Sequence, residues 1–371
     1  MCKVYKSYCV YKYESVAADD AQPERRVRGL QSADYAGILY KEKRSVIGMR
    51  GAFKWCFIGA GKLADKVAGQ VIASGRHELV SVYTRSHEKG RHFAAKHGCV
   101  AYDDAKAAMT AGGVQAVYVV TPHSSHYEYV KLAIELGVPV LCEKPFTTDA
   151  GQAEELFALA RERGVYVAEA MWTWFSPIAN QVKGWLDHGE FGEIERVKAS
   201  YRVPLTMLGG RLTDPGRAGG ALLDIGVYPL TYLYRLFGNP TKVVCRGVVE
   251  NGIDLEEEVD LTFADGKTCV ASISMRELIP NEWLTITGSR ASVDLKRFHG
   301  ANEVKLCRKD GGDEAFSGDG SILNEFDLAS QEILAGKTQS SYVPPKATVD
   351  VMRIMDECRK QMELVYPFER G

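Results

Sequence analysis

The sequence predicts an α/β fold in two parts, an N-terminal doubly wound domain and a C-terminal α+β domain with a large, mostly antiparallel open sheet. At 371 residues the chain is longer than a single hydrophobic core usually supports. From residue 53 to about 171, apolar strands alternate with helical patterns, which indicates a parallel sheet covered on both faces. Beyond that point the strand-like segments alternate polar and apolar residues, which indicates sheets with one covered face.

Strand and helix patterns follow one another regularly in the first domain, to which we assign residues 51–171. Strand-like runs lie at 54–58, 79–83, 116–120, 138–142 and 165–168. Apolar residues recur at helical spacing over 63–71, and further helical patterns lie at 86–97, 124–136 and 154–160. In the second domain, residues 172–371, strands are expected at 194–201, 258–263 and 283–288, and two late helices at about 322–335 and 348–364.

Residues 1–50 differ in composition from the rest of the chain. They are rich in Tyr and Lys at first and polar and charged later, and they contain no apolar signal-peptide core. Acidic residues among them argue against a transit peptide. We expect a disordered extension here, and a regulatory arm is the alternative.

Charge and cysteine content limit the classes of partner and compartment. The formal net charge is -2 with no sustained basic block, which argues against nucleic acid and anionic membranes as partners. No apolar run approaches the length that crosses a bilayer. The nine cysteines are scattered without a C-x-x-C pair, so they suit buried thiols in a reducing cytoplasm better than a zinc or redox motif.

A glycine-rich turn lies between the first strand and the first helix. Gly59-x-Gly61-x-x-Ala64 matches the dinucleotide fingerprint of Rossmann domains. In that fingerprint the first Gly permits the tight turn, the second lets the backbone approach a pyrophosphate, and the third position keeps helix and strand close. We therefore predict cofactor contacts from Gly59, Ala60, Gly61, Lys62, Leu63 and Ala64; a purely structural turn is the alternative.

The end of the second strand bears on which cofactor is bound. NAD-selective sites place a carboxylate about 20 residues past the Gly turn. Here the chain reads Thr84-Arg85-Ser86, and the guanidinium of Arg85 offers a fork of donors for a 2′-phosphate. This pattern predicts NADP, with NAD still possible and a solvated surface Arg85 as the alternative reading.

Glu143-Lys144-Pro145 directly follows the strand at 138–142. It lies at the carboxyl edge of the expected sheet, where doubly wound folds bind ligands. A lysine in a half-buried cleft beside a cationic nicotinamide can have its pKa lowered enough to exchange protons. An ordinary Lys-Pro loop is the alternative.

A second candidate cluster follows the glycine pair Gly219-Gly220. If the stretch after it is helical, Asp224 and Tyr228 are four residues apart and share one face. A carboxylate there can orient a lysine, and a phenol near a lysine cation is expected to ionise more readily and carry a proton. A capping Asp and a packed Tyr remain the alternative.

Taken together, these motifs resemble the glucose–fructose oxidoreductase/inositol dehydrogenase (Gfo/Idh/MocA) family. The shared order is Gly59-x-Gly61-x-x-Ala64, Glu143-Lys144-Pro145, Gly219-Gly220 and Asp224-x-Gly226-x-Tyr228. Tyr228, the run 169–173 and the tail 355–367 are similar to the branch of dimeric dihydrodiol dehydrogenases and NADP-dependent D-xylose dehydrogenases. The resemblance implies that Lys144 and Tyr228 handle the proton with support from Asp224, and that homodimers form through the C-terminal sheet.

Further cofactor contacts are expected from residues that follow the other strands. His123 and His126 have a spacing that suits a metal pair, but no Cys or carboxylate cluster accompanies them, and we predict no metal. They are expected to contact the nicotinamide ribose or to cap the helix. The resemblance places Thr121, Pro122 and His126 near the cofactor, and we also expect cofactor contacts from Glu143, Lys144 and Trp172.

The resulting hypothesis is hydride transfer between C4 of NADP and a carbinol carbon of a sugar or cyclic diol. A dinucleotide-binding sensor or regulatory protein that lost catalysis is one alternative, because a fold does not determine function. A methyltransferase is another, although it leaves Glu143-Lys144-Pro145 unexplained.

Overall fold

The computed structural model describes residues 51–369. The extension expected at 1–50 lies outside the described residues. None of the helices in the described part of the chain combines the length and apolar character needed to span a bilayer.

The first sheet has six parallel strands in the order β3-β2-β1-β4-β5-β6. This order is typical of doubly wound folds, the class that the sequence predicts, and the order of the strands reverses between β1 and β4. The strands are β1 (Phe53–Ile58), β2 (His77–Tyr83), β3 (Val100–Tyr102), β4 (Ala116–Val119), β5 (Val140–Glu143) and β6 (Val167–Ala170).

Five helices accompany this sheet: α1 (Lys62–Ala73), α2 (His87–His97), α3 (Ala105–Met109), α4 (His126–Glu135) and α5 (Ala150–Arg163). Side chains cap the N-termini of three of these helices. Ser86, Asp104 and Asp149 accept hydrogen bonds from backbone N–H groups in the first turns of α2, α3 and α5. No side chain caps the start of α1.

The second sheet has eight strands in the order β14-β13-β12-β11-β7-β10-β9-β8. Only β7 and β10 pair in parallel, and the other neighbours are antiparallel. The strands are β7 (Ile194–Arg202), β8 (Lys242–Glu250), β9 (Ile253–Thr262), β10 (Thr268–Ser274), β11 (Asn281–Gly288), β12 (Ala291–Lys296), β13 (Glu303–Arg308) and β14 (Glu314–Ser317). The predicted fold class is therefore confirmed.

Helices α6 (Pro177–Asp187) and α7 (Val227–Phe237) belong to the second half of the chain, and a π-helical turn, Leu222–Gly226, leads directly into α7. The turn and α7 pack against β10, and the turn also packs against β9. The side chains of the second sheet alternate between buried and exposed along β9, β11 and β12. One face of the sheet is thus covered and the other is open, as the polar–apolar alternation predicts.

The last two helices, α8 (Leu323–Leu334) and α9 (Pro345–Gln361), return to the first sheet. On α8, the buried ring of Phe326 lies 5.0 Å from Trp55 and 4.9 Å from Tyr118 between ring centroids. Helix α9 packs against α5, α7 and β8. The end of the chain therefore completes the core of the first sheet and connects the two sheets.

Candidate active site

The glycine-rich turn after β1 contains two glycines whose backbone conformations and surroundings differ. Gly59 has φ +121°, and a Cβ there would lie 2.6 Å from the carbonyl oxygen of Val120. Only glycine fits such a contact at positive φ. Gly61 has φ -84°, and a Cβ there would meet nothing within 4 Å. The turn thus leaves open space beside Gly61, where a ligand can approach the backbone.

The first turn of α1 is available to an anion. Its N–H groups have no side-chain cap, and helix N-termini favour negative charge. The acidic residue in that turn, Asp65, is paired with Lys96 and His97, whose hydrogen bonds hold its pKa below the usual range. Lys62 and Leu63 are exposed, while Ala64 is buried against the sheet. This arrangement fits a dinucleotide pyrophosphate.

The residues after β2 lie on the surface beside the start of α2. Arg85 is exposed, and Thr84 and Ser86 are half-buried. The hydroxyl of Ser86 accepts the hydrogen bond that begins α2, so Ser86 has a structural role beside its predicted contact with the cofactor. Arg85 is accessible for the predicted interaction with a 2′-phosphate.

Lys144 lies immediately after β5, and its ammonium group is largely buried. It donates a hydrogen bond to the backbone carbonyl of Asp224 at 2.6 Å, and it lies 3.9 Å from the Asp224 carboxylate. It also sits over the ring of Tyr228, 4.7 Å from the centroid. Burial lowers the pKa of Lys144, while the negative charges of Asp224 and Glu143 partly oppose that shift. The three predicted catalytic residues are therefore together.

The buried carboxylate of Asp224 also binds a partly exposed arginine that the sequence analysis does not predict. Arg211 donates to the Asp224 carboxylate at 2.8 Å, and His123 lies 3.6 Å from the same oxygen. Burial raises the pKa of Asp224, but the charges of Lys144 and Arg211 outweigh burial, and the pKa is lowered to about 2. Asp224 is consequently a carboxylate at neutral pH. Burial lowers the pKa of His123 well below its usual value, so this imidazole is neutral.

The expectation that Tyr228 ionises more readily is wrong. Burial raises the pKa of Tyr228 well above its usual value, and the negative charges of Glu143 and Asp224 add to the shift. Lys144 contacts the face of the Tyr228 ring, where a cation–π contact forms. Desolvation thus dominates over the lysine charge, and Tyr228 is a neutral phenol.

Glu143 and Glu169 hold the loop that carries Lys144. The hydroxyl of Tyr118 donates a hydrogen bond to Glu143, and the backbone N–H of Lys144 donates to the other oxygen of that carboxylate at 3.2 Å. Glu169 accepts from the N–H of Phe146 at 3.1 Å, and burial raises its pKa to about 7. The Lys144–Pro145 peptide bond is cis. Glu143 therefore faces the protein interior and shapes the loop.

The segment after β4 is bound to the same loop through His126. Its two ring nitrogens lie 3.0 Å from the carbonyl oxygen of Thr121 and 2.9 Å from that of Pro145. Burial lowers the pKa of His126 to about 4. The hydroxyl of Thr121 is buried without a protein partner, and Pro122 is half-buried beside it. The orphaned Thr121 hydroxyl suits a polar group of a bound cofactor; a direct contact of His123 or His126 with the ribose stays a prediction.

Aromatic rings surround the far side of Tyr228. The imidazole of His299 lies 5.4 Å from Tyr228, 5.1 Å from Tyr201 and 5.3 Å from Trp172 between centroids. Trp172 begins a short 3₁₀ turn after β6 and is half-buried. The predicted contact of Trp172 with the cofactor stays a prediction; its observed neighbour His299 contacts Tyr228, the ring over which Lys144 sits.

No cluster of three or more His, Cys, Asp or Glu side chains that could hold a metal ion occurs among residues 51–369. His123 and His126 have ring centroids 5.8 Å apart, but their nitrogens are directed to backbone carbonyls and to the Arg211–Asp224 pair.

Two family descriptions match the chain. Residues 53–171 match "Oxidoreductase family, NAD-binding Rossmann fold", and residues 179–294 match the "GFO/IDH/MocA C-terminal domain". Together they span more than half of the chain. The chain belongs to the Gfo/Idh/MocA oxidoreductase family. This confirms the resemblance noted in the motifs, and it removes the methyltransferase alternative.

Relatives within the family extend over nearly the same length. Trans-1,2-dihydrobenzene-1,2-diol dehydrogenase of Mus musculus is 27% identical over 333 residues, covering 86% of this chain and 99% of the relative. D-xylose 1-dehydrogenase (NADP(+)) of Hypocrea jecorina is 28% identical over 369 residues, covering 85% and 93%. KijD10, a 3-ketoreductase from Actinomadura kijaniata solved with NADP and TDP-benzene, has a TM-score of 0.76 and 26% identity, covering 84% and 98%.

The prediction of a nicotinamide-dependent oxidoreductase is confirmed by the family and by these relatives, each of which is named as a dehydrogenase or reductase. Nothing in the comparisons favours the catalytically inactive sensor. Sequence reasoning missed Arg211, Tyr118 and His299, because each reaches the site from a segment that carries no local motif.

Proposed function

We propose that this chain is an NADP-dependent dehydrogenase that transfers hydride between the nicotinamide and a carbinol carbon of a sugar or cyclic diol. The observation that carries the proposal is the buried ammonium of Lys144 between Asp224 and Tyr228, at the carboxyl edge of a sheet whose first turn fits a dinucleotide. The named activities of the relatives support the substrate class.

The chain's own residues manage the proton. When bound, NADP accepts the hydride that leaves the carbinol carbon. The hydroxyl proton of the substrate passes to the amine of Lys144, either directly or through the phenol of Tyr228. A lowered pKa increases the fraction of Lys144 that is deprotonated and able to accept this proton, and a neutral phenol donates it back in the reverse reaction. Asp224 keeps a negative charge beside Lys144 and stabilises the protonated amine.

A substrate panel tests the function. Aldoses and cyclic diols are incubated with NADP or NAD, and turnover is followed by the absorbance of the reduced nicotinamide. We expect turnover of at least one sugar or diol, and Lys144→Met should lower kcat by about 10²–10⁴-fold, because it removes a general acid–base group. Affinity for NADPH, measured by fluorescence titration, should change little.

The matched control for that substitution is Lys305→Met, on the exposed surface of β13. It should retain wild-type turnover. Retained turnover in Lys144→Met would contradict the role of Lys144, and a well-folded protein that binds neither pyridine nucleotide would contradict the whole proposal.

The preference for NADP is assigned to Arg85. Loss of charge-assisted hydrogen bonds to a phosphate is worth about 1.5–3 kcal/mol, so Arg85→Ala should raise the Michaelis constant for NADP by about ten- to hundredfold and leave that for NAD nearly unchanged. Arg163→Ala, at the exposed end of α5, is the control. Equal effects of Arg85→Ala on both cofactors would show that it contacts no 2′-phosphate.

Residues 51–171 act in this proposal as the cofactor domain, and residues 172–371 bind substrate and form a homodimer through the open face of the second sheet. That face carries Trp283, which is 38% exposed, and ion pairs such as Arg246–Asp260. Sedimentation equilibrium should give twice the chain mass. We place the enzyme in the cytoplasm, since the described cysteines are free thiols and five of the seven are buried.

A further inference from the structure

His299 is an imidazole within a wall of aromatic side chains beside Lys144, formed with Trp172, Tyr201 and Tyr228. It lies on a short 3₁₀ turn, Phe298–Gly300, that follows β12. Its ring stacks on Tyr201 with an interplanar angle of 23° and contacts Tyr228, the phenol that faces Lys144. A histidine in this position is next to the group that handles the substrate proton. Neither the sequence motifs nor the proposed reaction gives it a role.

Glu282, the second residue of β11, determines how the imidazole is oriented. Its carboxylate contacts Nδ1 of His299 and also accepts a hydrogen bond from the His299 backbone N–H at 3.2 Å. The backbone carbonyl of Glu282 accepts a further hydrogen bond from Arg297, at 2.8 Å. Because a carboxylate only accepts hydrogen bonds, Nδ1 carries the proton. In the neutral ring Nε2 is then an acceptor, on the side of the ring away from Glu282.

Trp172 and Gly300 complete this wall. A Cβ on Gly300 would lie 3.1 Å from the Trp172 ring, so the indole rests against the glycine backbone. The edge of His299 and the indole meet with an interplanar angle of 62°. The wall therefore offers aromatic surface together with one oriented acceptor, a combination that suits a ring-shaped molecule carrying hydroxyl groups.

We propose that His299, held by Glu282, accepts a hydrogen bond from the substrate hydroxyl on the carbon next to the one that is oxidised. The enzyme would then require a vicinal hydroxyl, whether the substrate is a sugar or a cyclic diol. This inference rests on the proposed function, since it assumes that Tyr228 and Lys144 receive the proton of the reacting hydroxyl. Glu282 acts as a positioning residue, because it reaches the substrate only through His299.

Two substrate pairs that differ by the vicinal hydroxyl test the inference: D-xylose against 2-deoxy-D-xylose, and trans-1,2-cyclohexanediol against cyclohexanol. The wild-type enzyme should prefer the vicinal member by about ten- to hundredfold in kcat/KM, because a site built around a hydrogen bond rejects an analogue that lacks the donor. His299→Phe keeps the aromatic packing and removes the acceptor. It should reduce this preference at least about tenfold, mainly through a higher KM for the vicinal member.

Three further variants test whether a lost preference comes from the missing hydrogen bond to the substrate or from a disturbed protein structure. His299→Gln offers an amide oxygen near the place of Nε2 and should restore part of the preference. Glu282→Gln keeps an acceptor for Nδ1–H and should retain most of the preference, whereas Glu282→Ala should lose it with kcat largely kept. His188→Phe, an exposed histidine at the end of α6, is the control for the substitution type. NADPH titration should be unchanged in all of them.

The outcomes distinguish this inference from the proposed function. Equal losses for both members of each pair in His299→Phe would overturn the inference, and so would a wild-type enzyme that oxidises cyclohexanol or 2-deoxy-D-xylose as well as its partner. Either result leaves the proposed dehydrogenase activity standing. Absence of turnover with all aldoses and diols would refute the proposed function and the inference together.

Discussion

Lys144 lies between charges of opposite sign, and their balance determines when its amine can accept a proton. Burial is the largest influence and lowers its pKa. The carboxylate of Asp224 favours the ammonium form and raises the pKa, whereas the guanidinium of Arg211, which is bound to that carboxylate, disfavours it and lowers the pKa. Asp224 also raises the pKa of Tyr228, because a nearby anion opposes a phenolate.

The pH profile should therefore move in opposite directions in two variants. In the oxidation direction, kcat/KM rises with pH as the proton acceptor loses its proton. Asp224→Asn removes the anion, lowers the pKa of Lys144, and should shift the rising limb to lower pH. Arg211→Met removes the cation, raises that pKa, and should shift the limb to higher pH. Profiles measured in one buffer series at constant ionic strength decide this.

Shifts of the same sign in Asp224→Asn and Arg211→Met would mean that the titrating group does not lie between them. Arg353→Met provides the reference, because it removes a surface arginine of α9 that pairs with Glu154 and Asp350. Its profile should superimpose on that of the wild type.

The sequence indicated some members of this site and not others for a physical reason. Lys144, Asp224 and Tyr228 stand in short motifs beside Pro145 or Gly226, and those motifs predict them as a group. Arg211 and His299 stand in no such motif. Arg211 is placed in the site by its hydrogen bond to Asp224, and His299 by its contact with Glu282. Both contacts form only when the chain folds. The ionisation of Tyr228 was mispredicted because burial cannot be read from sequence spacing.

At the scale of elements, the turn between β1 and α1 separates a folding requirement from a binding requirement. A side chain at Gly59 would collide with the backbone of Val120 at positive φ, while one at Gly61 would enter open space at ordinary φ. The fingerprint gives the two glycines different roles, the tight turn to the first and the approach to a pyrophosphate to the second. The structure assigns the first to the fold and leaves the second for the ligand.

Alanine substitutions should show this difference. Gly59→Ala should lower the free energy of unfolding by about 1–3 kcal/mol, the usual cost of a strained backbone conformation, and weaken NADPH binding as a consequence. Gly61→Ala should unfold at the wild-type urea concentration and yet weaken NADPH binding, because its methyl group occupies the space of the pyrophosphate. Urea titration and NADPH fluorescence measure the two effects.

An unstable Gly61→Ala would contradict the open space beside that residue, and unchanged NADPH affinity would contradict the location of the pyrophosphate. Gly98→Ala is a useful comparison, since its φ is +73° but a Cβ would meet nothing within 4 Å. It should cost stability through the backbone alone and leave NADPH affinity intact.

Most elements of the first domain could be predicted from their periodicity, and the exceptions there are short. In the second domain, longer elements such as β8 and α6 were not predicted either. The runs 54–58 and 116–120 overlap β1 and β4 because continuous apolar residues mark buried parallel strands. Strand β3 has only three residues, all at least partly accessible at the sheet edge, so it leaves no such pattern. The π-helical turn 222–226 likewise has no periodic signal, and its geometry comes from packing against β9 and β10.

At the scale of the whole molecule, the chain crosses from the first sheet to the second and then returns. Phe326 of α8 is fully buried among Trp55, Phe57 and Tyr118. Helix α9 is tied to the start of α5, where the N–H of Ala150 donates to Asp356 at 2.8 Å. The amphipathic patterns of α8 and α9 predict helices, but an apolar face does not state which sheet it covers, so this return could not be predicted.

Because α8 packs on the first sheet, the stability of that sheet depends on a late segment of the chain. Phe326→Ala should lower the free energy of unfolding by about 3–5 kcal/mol, the usual cost of a large cavity in a core. Urea unfolding should be followed by the fluorescence of the tryptophans, since Trp55 contacts the deleted ring. Leu334→Ala, at a position 53% exposed on the same helix, is the matched control and should change stability little. If the two variants unfold at the same urea concentration, α8 contributes little to the first sheet, and the NADP-binding half of the molecule would be expected to fold without residues 323–334.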